Sequence, residues 1–318
     1  MQADSRIYIS GHRGLVGSAV HRLCRARGFT NLVVRDRSEL DLTDQASVNR
    51  FFREERPDYV FCAGARVGGI HANNSRPADF IRDNLAVQTN VIDAAWHNGV
   101  KKLLFLGSSC IYPKLAPQPL REEYLLTGPL EPTNEWYAIA KLAGIKMCAA
   151  YRRQYGFNAI SLLPTNLYGP GDNFDLQNSH VLPALLRKIH EAHVGGEEAV
   201  TIWGSGTPRR EFLYVDDLAD ACLFLMEHYH GEEPVNVGWG EDLTIRELAE
   251  ALARVIGFEG AFQFDPTKPD GTPRKVLDTS RLRSLGWAPR VPLETGLGLT
   301  YNWYRQNVTR DLPLTSAA

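Results

Sequence analysis

The sequence has little net charge and no long apolar run. Its 318 residues carry a formal net charge of −2, so no overall field favours nucleic acid or an anionic membrane, and an anionic ligand must be held by local basic groups. No apolar run approaches the roughly 18 residues that a membrane-spanning helix needs. The polar start, Met1 to Arg6, leads directly into a strand-like segment and does not resemble a signal peptide. We therefore expect no nucleic-acid or membrane partner.

Cysteine is also scarce, and its pattern argues against two kinds of protein. The five cysteines are odd in number and lack CxxC spacing, whereas disulfide frameworks and zinc sites show paired, regularly spaced cysteines. The pattern indicates reduced thiols, no metal site and a cytoplasmic location. The five are Cys24, Cys62, Cys110, Cys148 and Cys222.

Short strand-like runs alternate with longer helical patterns in the first half of the chain. Such alternation indicates βαβ crossovers, and therefore an α/β protein whose parallel sheet is covered by helices on both faces. The predicted strands are Arg6–Ser10, Asn31–Arg35, Asp58–Cys62, Lys101–Leu106 and Ala159–Leu163. The predicted helices are Leu15–Arg27, Asp44–Glu55, Pro77–His97 and Glu135–Tyr155.

The alternation breaks after about residue 170, and we expect a smaller second domain there. Residues 1–170, with about 211–240, are predicted to form the first domain; about 171–210 and 241–318 form the second. Glu211–Val215 and Val235–Val237 are predicted as strands that rejoin the sheet of the first domain. The remaining predicted elements are a helix from Ser179 to about His193, a strand at Thr201–Trp203, and helices at about Asp217–Tyr229, Ile245–Ile256 and Leu293–Gln306.

Three glycines between the first strand and the first helix form a dinucleotide-binding pattern. Gly11, Gly14 and Gly17 permit a tight turn, a close approach to a pyrophosphate, and close packing of helix on strand. The helix that begins at Leu15 and Val16 offers free backbone N–H groups to the phosphates. A glycine triplet alone is a weak signal, but its place after the first strand of a βαβαβ series makes it specific.

The end of the second strand indicates which dinucleotide to expect. An NAD site usually has an acidic residue there for the ribose 2′-hydroxyl, whereas NADP needs a cation for the 2′-phosphate. Arg35 ends the predicted strand and Arg13 lies in the glycine loop, where both can meet a phosphate. Asp36 complicates this interpretation, and two solvated surface arginines are the alternative. NADP(H) is the predicted cofactor.

A tyrosine and a lysine at helical spacing indicate a carbonyl-reduction site. Tyr137 and Lys141 are four residues apart and therefore share one helix face. A lysine ammonium lowers the pKa of a nearby phenol and can hold the nicotinamide ribose. Ser108 follows the fourth strand, at the edge where parallel sheets carry their active sites, and can bond the same substrate oxygen as Tyr137.

The sequence resembles the extended short-chain dehydrogenases/reductases, and within them the GDP-fucose synthase family. The resemblance implies a Rossmann-type doubly wound sheet, a smaller C-terminal α/β substrate domain, a homodimer, and 3,5-epimerisation with 4-keto reduction of GDP-4-keto-6-deoxy-mannose. It spans essentially the whole chain. The segments that carry it are G-H-R-G-L-V-G-S-A, V-G-G-I, G-S-S-C-I-Y-P, W-Y-A-I-A-K, P-T-N-L-Y-G-P, N-S-H-V-L-P-A-L-L-R-K and the stretch Arg209–Ala221.

The resemblance implies that Cys110 and His180 carry the epimerisation. A 4-keto group acidifies the C–H bonds at both neighbouring carbons, so one base–acid pair can invert both centres if the sugar presents each in turn. A thiolate at Cys110 would remove the proton and His180 would return one from the opposite face. Because a free thiol titrates near 8.5, Cys110 needs a nearby positive charge or proton loss to His180. The alternative is that both residues have structural roles only, Cys110 as a small apolar side chain in the core and His180 as a residue in the first turn of a helix.

The resemblance also implies residues that bind the two nucleotides. Lys188 and Arg210 are expected at the diphosphate, with Trp203 and Asp270 on the sugar or base. Asn166 follows the fifth strand and is expected near the nicotinamide, with His180 also at the cofactor. The helices Pro77–His97 and Glu135–Tyr155 are expected to pair in a homodimer. No role is assigned to Arg66.

Two other functions remain open at this stage. The first is a nucleotide-sugar 4-epimerase or 4,6-dehydratase on the same fold. A dehydratase typically has Thr-Asp-Glu where this chain has Cys110-Ile111-Tyr112, and both kinds of enzyme keep NAD tightly bound. The second is a non-catalytic NADP-sensing partner protein, which would be expected to lose Tyr137 or Lys141.

Overall fold

The computed structural model describes residues 1–176, 178–268 and 270–309. The strands are β1 (Ile7–Ser10), β2 (Leu32–Val33), β3 (Tyr59–Cys62), β4 (Lys102–Leu106), β5 (Ala159–Pro164), β6 (Asn166–Tyr168), β7 (Ala199–Trp203), β8 (Arg209–Arg210), β9 (Phe212–Tyr214), β10 (Val235–Val237), β11 (Leu243–Thr244), β12 (Ala261–Asp265) and β13 (Arg274–Lys275). The α-helices are α1 (Leu15–Ala26), α2 (Gln45–Glu55), α3 (Ile70–Ser75), α4 (Pro77–His97), α5 (Glu135–Tyr155), α6 (Val181–Gly195), α7 (Val215–His228), α8 (Ile245–Ile256), α9 (Ser280–Ser284) and α10 (Leu293–Asn307).

A six-stranded parallel sheet in the order β10-β5-β4-β3-β1-β2 organises the first part of the chain. The central strands β1 and β4 are buried along their whole length, because helices cover both faces. One face packs on α2, α4 and α5 and the other on α1 and α7. The predicted doubly wound α/β sheet is confirmed.

The second strand is shorter than predicted. Only Leu32 and Val33 pair with β1, so Arg35 lies two residues beyond the strand rather than at its end. The strand is at the sheet edge, where one neighbour holds it.

The prediction that Glu211–Val215 rejoins the central sheet was wrong. Strand β9 pairs in parallel with β6 in a separate two-stranded sheet. The fully buried Glu211 carboxylate holds this region through the backbone N–H groups of Gly240, at 2.6 Å, and Leu277, at 2.9 Å. By contrast β10 pairs with β5 in the central sheet, as predicted for Val235–Val237.

A separate apolar cluster lies in the second part of the chain, where α6, α8 and α10 pack around β7 and β9. Two small sheets flank it, β12-β7 and β11-β8-β13. The second sheet brings the sequence around residue 275 beside that around residue 210. In the described ranges, no helix has the length and apolarity that crossing a membrane requires.

Candidate active site

The glycine turn lies at the carboxyl end of β1, where α1 begins. Gly11 has φ +70°, a left-handed conformation that side chains rarely adopt, and its carbonyl accepts the N–H of Gly14 at 2.9 Å. A Cβ at Gly17 would lie 2.1 Å from the Gly11 carbonyl oxygen. Leu15 and Val16 form the first turn of α1, which has no side-chain cap. The turn therefore leaves helix N–H groups for a ligand to use.

A cavity of about 670 Å³ opens beside this turn and contains the predicted arginines. Arg13, Arg35 and Asp36 all line it. The Arg13 guanidinium donates to the Asp36 carboxylate at 2.5 Å, and Arg35 forms an ion pair with Glu55. Both arginines thus reach one cavity, but each also has a carboxylate partner, which the sequence did not indicate.

The glycine turn and this cavity fit a dinucleotide with a phosphorylated ribose. A Cβ at Gly11 or Gly17 would meet backbone atoms, the N–H groups at the start of α1 have no side-chain cap, and the cavity wall supplies cations. Arg37, not selected from the sequence, also lines the cavity, with its side chain 76% exposed. Arg66, left unassigned above, lines the cavity too, and pairs with Asp83 at 2.7 Å.

Ser108, Tyr137 and Lys141 lie where β4 and α5 meet. The Ser108 hydroxyl oxygen accepts the N–H of Cys110 at 3.1 Å, and its single hydrogen can donate to one further partner. The Lys141 ammonium donates to the Leu106 carbonyl at 2.8 Å and lies 5.9 Å from the Tyr137 ring centre. The Tyr137 side chain is nearly buried, at 6% exposure.

The electrostatics of this group differ from the sequence-based expectation. Burial, reinforced by the charge of Cys110, raises the pKa of Tyr137, while a hydrogen bond with Ser108 acts in the opposite direction. Lys141 is not among the causes, and burial lowers its own pKa to about 8. The expectation that Lys141 lowers the pKa of Tyr137 was therefore wrong. A phenol that stays protonated is the form that reduction of a ketone requires.

A second cavity, of about 310 Å³, brings Cys110 and His180 into one wall. Cys110 sits in a single turn of 3₁₀ helix after β4, and His180 immediately precedes α6. The loop after β3 supports His180: a Cβ at Gly69 would lie 2.7 Å from the Ser179 carbonyl oxygen. Glycine at this position lets the two loops touch. Tyr137 is not among the residues that line this cavity.

Lys275 is the residue of this site that sequence reasoning missed. Its ammonium nitrogen lies 3.2 Å from the Cys110 sulfur. Burial raises the pKa of Cys110, but the charges of Lys275 and Arg210 and the bond with Ser108 outweigh it and leave the pKa below its ordinary value. No local pattern marked Lys275, because 165 positions separate it from Cys110.

His180 is affected by the same lysine in the opposite sense. Burial, with a contribution from the charge of Lys275, lowers the pKa of His180 to about 4. At neutral pH the imidazole is therefore neutral in this structure.

The residues predicted to bind the nucleotide sugar line the same cavity. The Lys188 ammonium lies 4.9 Å from the Trp203 ring centre, whose side chain is half exposed. Arg210 donates to the backbone carbonyl of Asp270 at 3.4 Å, and the Asp270 carboxylate accepts from Ser205. Asn166 also lines this cavity, and its amide donates to the Glu211 carbonyl at 2.8 Å. The structure thus brings five predicted residues, Asn166 among them, beside Cys110 and His180.

The chain belongs to the NAD dependent epimerase/dehydratase family, whose pattern matches residues 7–238. That span begins at the first strand of the central sheet and ends just after β10. The chain is similar to GDP-L-fucose synthase 1 of Arabidopsis thaliana, with 64% identity over 96% of this chain and 94% of that one. It is also similar to GDP-L-fucose synthase of Escherichia coli strain K12, with 56% identity over 97% of this chain and 99% of that one.

A solved structure supports the same relationship. A GDP-L-fucose synthetase from Naegleria fowleri, bound to NADP, superposes with a TM-score of 0.89 and 30% identity, covering 96% of each chain. The family resemblance stated from the sequence is confirmed.

Proposed function

We propose that the chain converts GDP-4-keto-6-deoxy-D-mannose to GDP-L-fucose, by epimerising C3 and C5 and reducing the C4 ketone with NADPH. The observation that carries this proposal is the shared cavity of Cys110 and His180, with a lysine beside the thiol. Reduction of a ketone alone does not require a thiol and an imidazole. Epimerisation of a carbon beside a ketone requires a base on one face of that carbon and an acid on the other.

In the epimerisation, the Cys110 thiolate removes the proton from C3 or C5, and His180 returns a proton to the opposite face. Ser108 donates its hydroxyl hydrogen to the C4 oxygen and stabilises the enolate. The diphosphate and the enolate are negative, so their arrival favours the imidazolium form of His180 that protonates carbon. Each inversion removes one proton and returns one, so the carbon skeleton is unchanged in oxidation state.

In the reduction, Tyr137 protonates the C4 oxygen and Ser108 holds that oxygen in place. NADPH, when bound, supplies the hydride for C4. The proposed cofactor contacts are the glycine turn for the pyrophosphate, Arg13 and Arg35 for the 2′-phosphate, Lys141 for the nicotinamide ribose, and Asn166 and His180 beside the nicotinamide. Both arginines must exchange a carboxylate contact for the phosphate, or share their donors with it.

Substrate recognition is proposed to lie on the second part of the chain, about 171–210 and 241–318, with residues 1–170 and about 211–240 binding the cofactor. Lys188 and Arg210 hold the diphosphate, and burial lowers the pKa of both, which indicates cations set back from bulk water. Trp203 offers a ring face to the base. Asp270, which already fixes the Ser205 loop, accepts from the base or ribose.

A nucleotide-sugar 4-epimerase or 4,6-dehydratase is the second candidate, and the cavity argues against it. Such enzymes return the hydride to the same sugar and need no thiol–imidazole pair. A non-catalytic NADP-sensing protein is disfavoured because Ser108, Tyr137 and Lys141 are all in place.

The function is tested by incubating the protein with GDP-4-keto-6-deoxy-D-mannose and NADPH in D2O. We expect deuterium at C3 and C5 of the product, and unlabelled hydride at C4, because solvent supplies the first two atoms and NADPH the third. Mass spectrometry and proton NMR of the product measure this. A product reduced at C4 without deuterium at C3 and C5 would leave only a 4-reductase.

We further propose a homodimer formed by α4 and α5, in a cytoplasmic compartment where the five free thiols persist. Trp136 and Ile139 on α5 are exposed large apolar side chains, and Tyr155 stacks on Trp96 of α4 at 3.9 Å. Burying such a surface favours association. Sedimentation equilibrium should give twice the 35.6 kDa chain mass; the monomer mass would contradict the dimer.

A further inference from the structure

Lys275 stands beside Cys110 without a carboxylate of its own. Its ammonium nitrogen lies 3.2 Å from the sulfur, and among the described residues it makes no ion pair with an acid. Other lysines differ: Lys101 pairs with Asp58, and Lys114, in the same cavity, pairs with Glu131, each at 2.8 Å. The charge of Lys275 is therefore available to the thiol.

The backbone around Lys275 is fixed on both sides, so this contact is built into the fold. Strand β13 pairs in parallel with β8, with Lys275 opposite Arg210. The next two N–H groups donate to side chains: Val276 to Gln118 at 3.0 Å, and Leu277 to Glu211 at 2.9 Å. The lysine reaches the thiol from the second part of the chain, while Cys110 follows a strand of the central sheet.

We propose that Lys275 is a positioning residue that holds Cys110 as a thiolate, ready to remove the proton at C3 and C5. This inference rests on the proposed function and deepens it. An opposite charge within about 4–6 Å favours the charged form of a titrating group, and for an acid it lowers the pKa by about 1–3. The thiol proton leaves to solvent.

The other groups around the sulfur act consistently with this role. Arg210 adds positive charge and Ser108 adds a hydrogen bond, while Tyr137 stays a neutral phenol because burial raises its pKa. The same lysine disfavours the imidazolium form of His180. The Lys275 ammonium thus makes Cys110 the base and His180 the acid. Cys110 carries the negative charge, and His180 takes a proton from solvent once the anionic substrate binds.

The direct test is the pH dependence of alkylation of the full-length protein by iodoacetamide, followed by mass spectrometry of the Cys110 peptide. Only the thiolate reacts, so the midpoint reports ionisation. The other four cysteines are buried and serve as internal controls. We expect a wild-type midpoint below about 8.5, the ordinary thiol value. A midpoint at or above that value in the unmodified protein overturns the proposal without any variant.

Three variants separate the charge from other effects. Lys275→Met should raise the midpoint by about 1–3 units and lower alkylation at pH 7 about tenfold or more. Lys275→Arg, which retains the charge, should stay near wild type. Lys114→Met removes a cation from the same cavity without touching the sulfur, and should also stay near wild type. An unchanged midpoint in Lys275→Met, in a protein that is folded by circular dichroism, overturns the proposal.

Exchange of substrate protons distinguishes failure of this inference from failure of the proposed function. With GDP-4-keto-6-deoxy-D-mannose in D2O, Lys275→Met should exchange C3 and C5 about tenfold or more slowly at pH 7, and recover as the pH is raised. A rise in KM with unchanged maximal exchange would make Lys275 a substrate-binding residue and overturn the proposal. Absence of exchange in the wild type, with the expected alkylation midpoints, would reject the epimerisation and leave the thiolate contact established.

Discussion

Replacing Tyr137 with phenylalanine is expected to lower the rate of C4 reduction by about 10²–10⁴-fold, the usual contribution of a positioned general acid. The phenol is the proposed donor to the C4 oxygen, and burial raises its pKa, so it stays protonated across the neutral range. Phenylalanine keeps the ring that packs at 6% exposure but has no proton to give. Stopped-flow measurement of NADPH oxidation with saturating substrate measures the effect.

Two comparisons make the Tyr137→Phe result specific. NADPH affinity, followed by fluorescence, should change little, because the phenol is not a proposed phosphate contact. Tyr304→Phe is the matched control, since Tyr304 is fully buried and its hydroxyl has no hydrogen-bond partner in the described part of the chain. That variant should reduce the substrate at the wild-type rate. A Tyr137→Phe enzyme within a few-fold of wild type would exclude the phenol as the acid.

Replacing Cys110 with serine is expected to lower the rate of solvent exchange at C3 and C5 by about 10²–10⁴-fold, while NADPH binding persists. Serine keeps the size of the side chain, but its hydroxyl does not ionise in the range where the Cys110 thiol does. The thiol has its pKa lowered by Lys275 and Arg210 against the effect of burial. Proton NMR of the substrate in D2O, without NADPH, measures exchange separately from reduction.

Cys148→Ser is the matched control for this experiment. Cys148 is buried on α5, and burial raises its pKa, so the thiol is neutral and takes no part in the proposed chemistry. Its hydrogen bond with Ser161 gives a serine hydroxyl a partner. Exchange should be retained in Cys148→Ser. If Cys110→Ser exchanged both positions at the wild-type rate, Cys110 would have no role in the epimerisation.

The local pattern of the sequence predicted most of the secondary structure. Pro77–His97, Glu135–Tyr155 and Ile245–Ile256 are helices with the predicted bounds, because their apolar residues repeat at helical spacing along whole elements. The exception in strand pairing was Glu211–Val215. Its run of aromatic and apolar residues correctly indicated a strand, but partner choice depends on long-range contacts, here the buried Glu211 carboxylate and the backbone of Gly240 and Leu277.

The site was predicted only in part, because local spacing places some of its residues and long-range packing decides the rest. Residues that follow parallel strands converge at one edge of a sheet, so Ser108 and Cys110 after β4 and Asn166 after β5 were foreseeable neighbours. The signs of the pKa shifts were not foreseeable at Tyr137. Burial is the largest cause of the raised pKa of Tyr137, the expected influence of Lys141 is not among the causes, and burial is a property of the packed molecule.

The sequence by itself determined the doubly wound sheet, the glycine turn and the identity of the residues able to do the chemistry, because these depend on spacing within a few residues. Only the tertiary structure decided which charges meet them. Asp36 holds Arg13, Glu55 holds Arg35, and Lys275 approaches Cys110 across 165 positions. Electrostatic interactions act through space over a few ångströms, and the folded chain sets those distances.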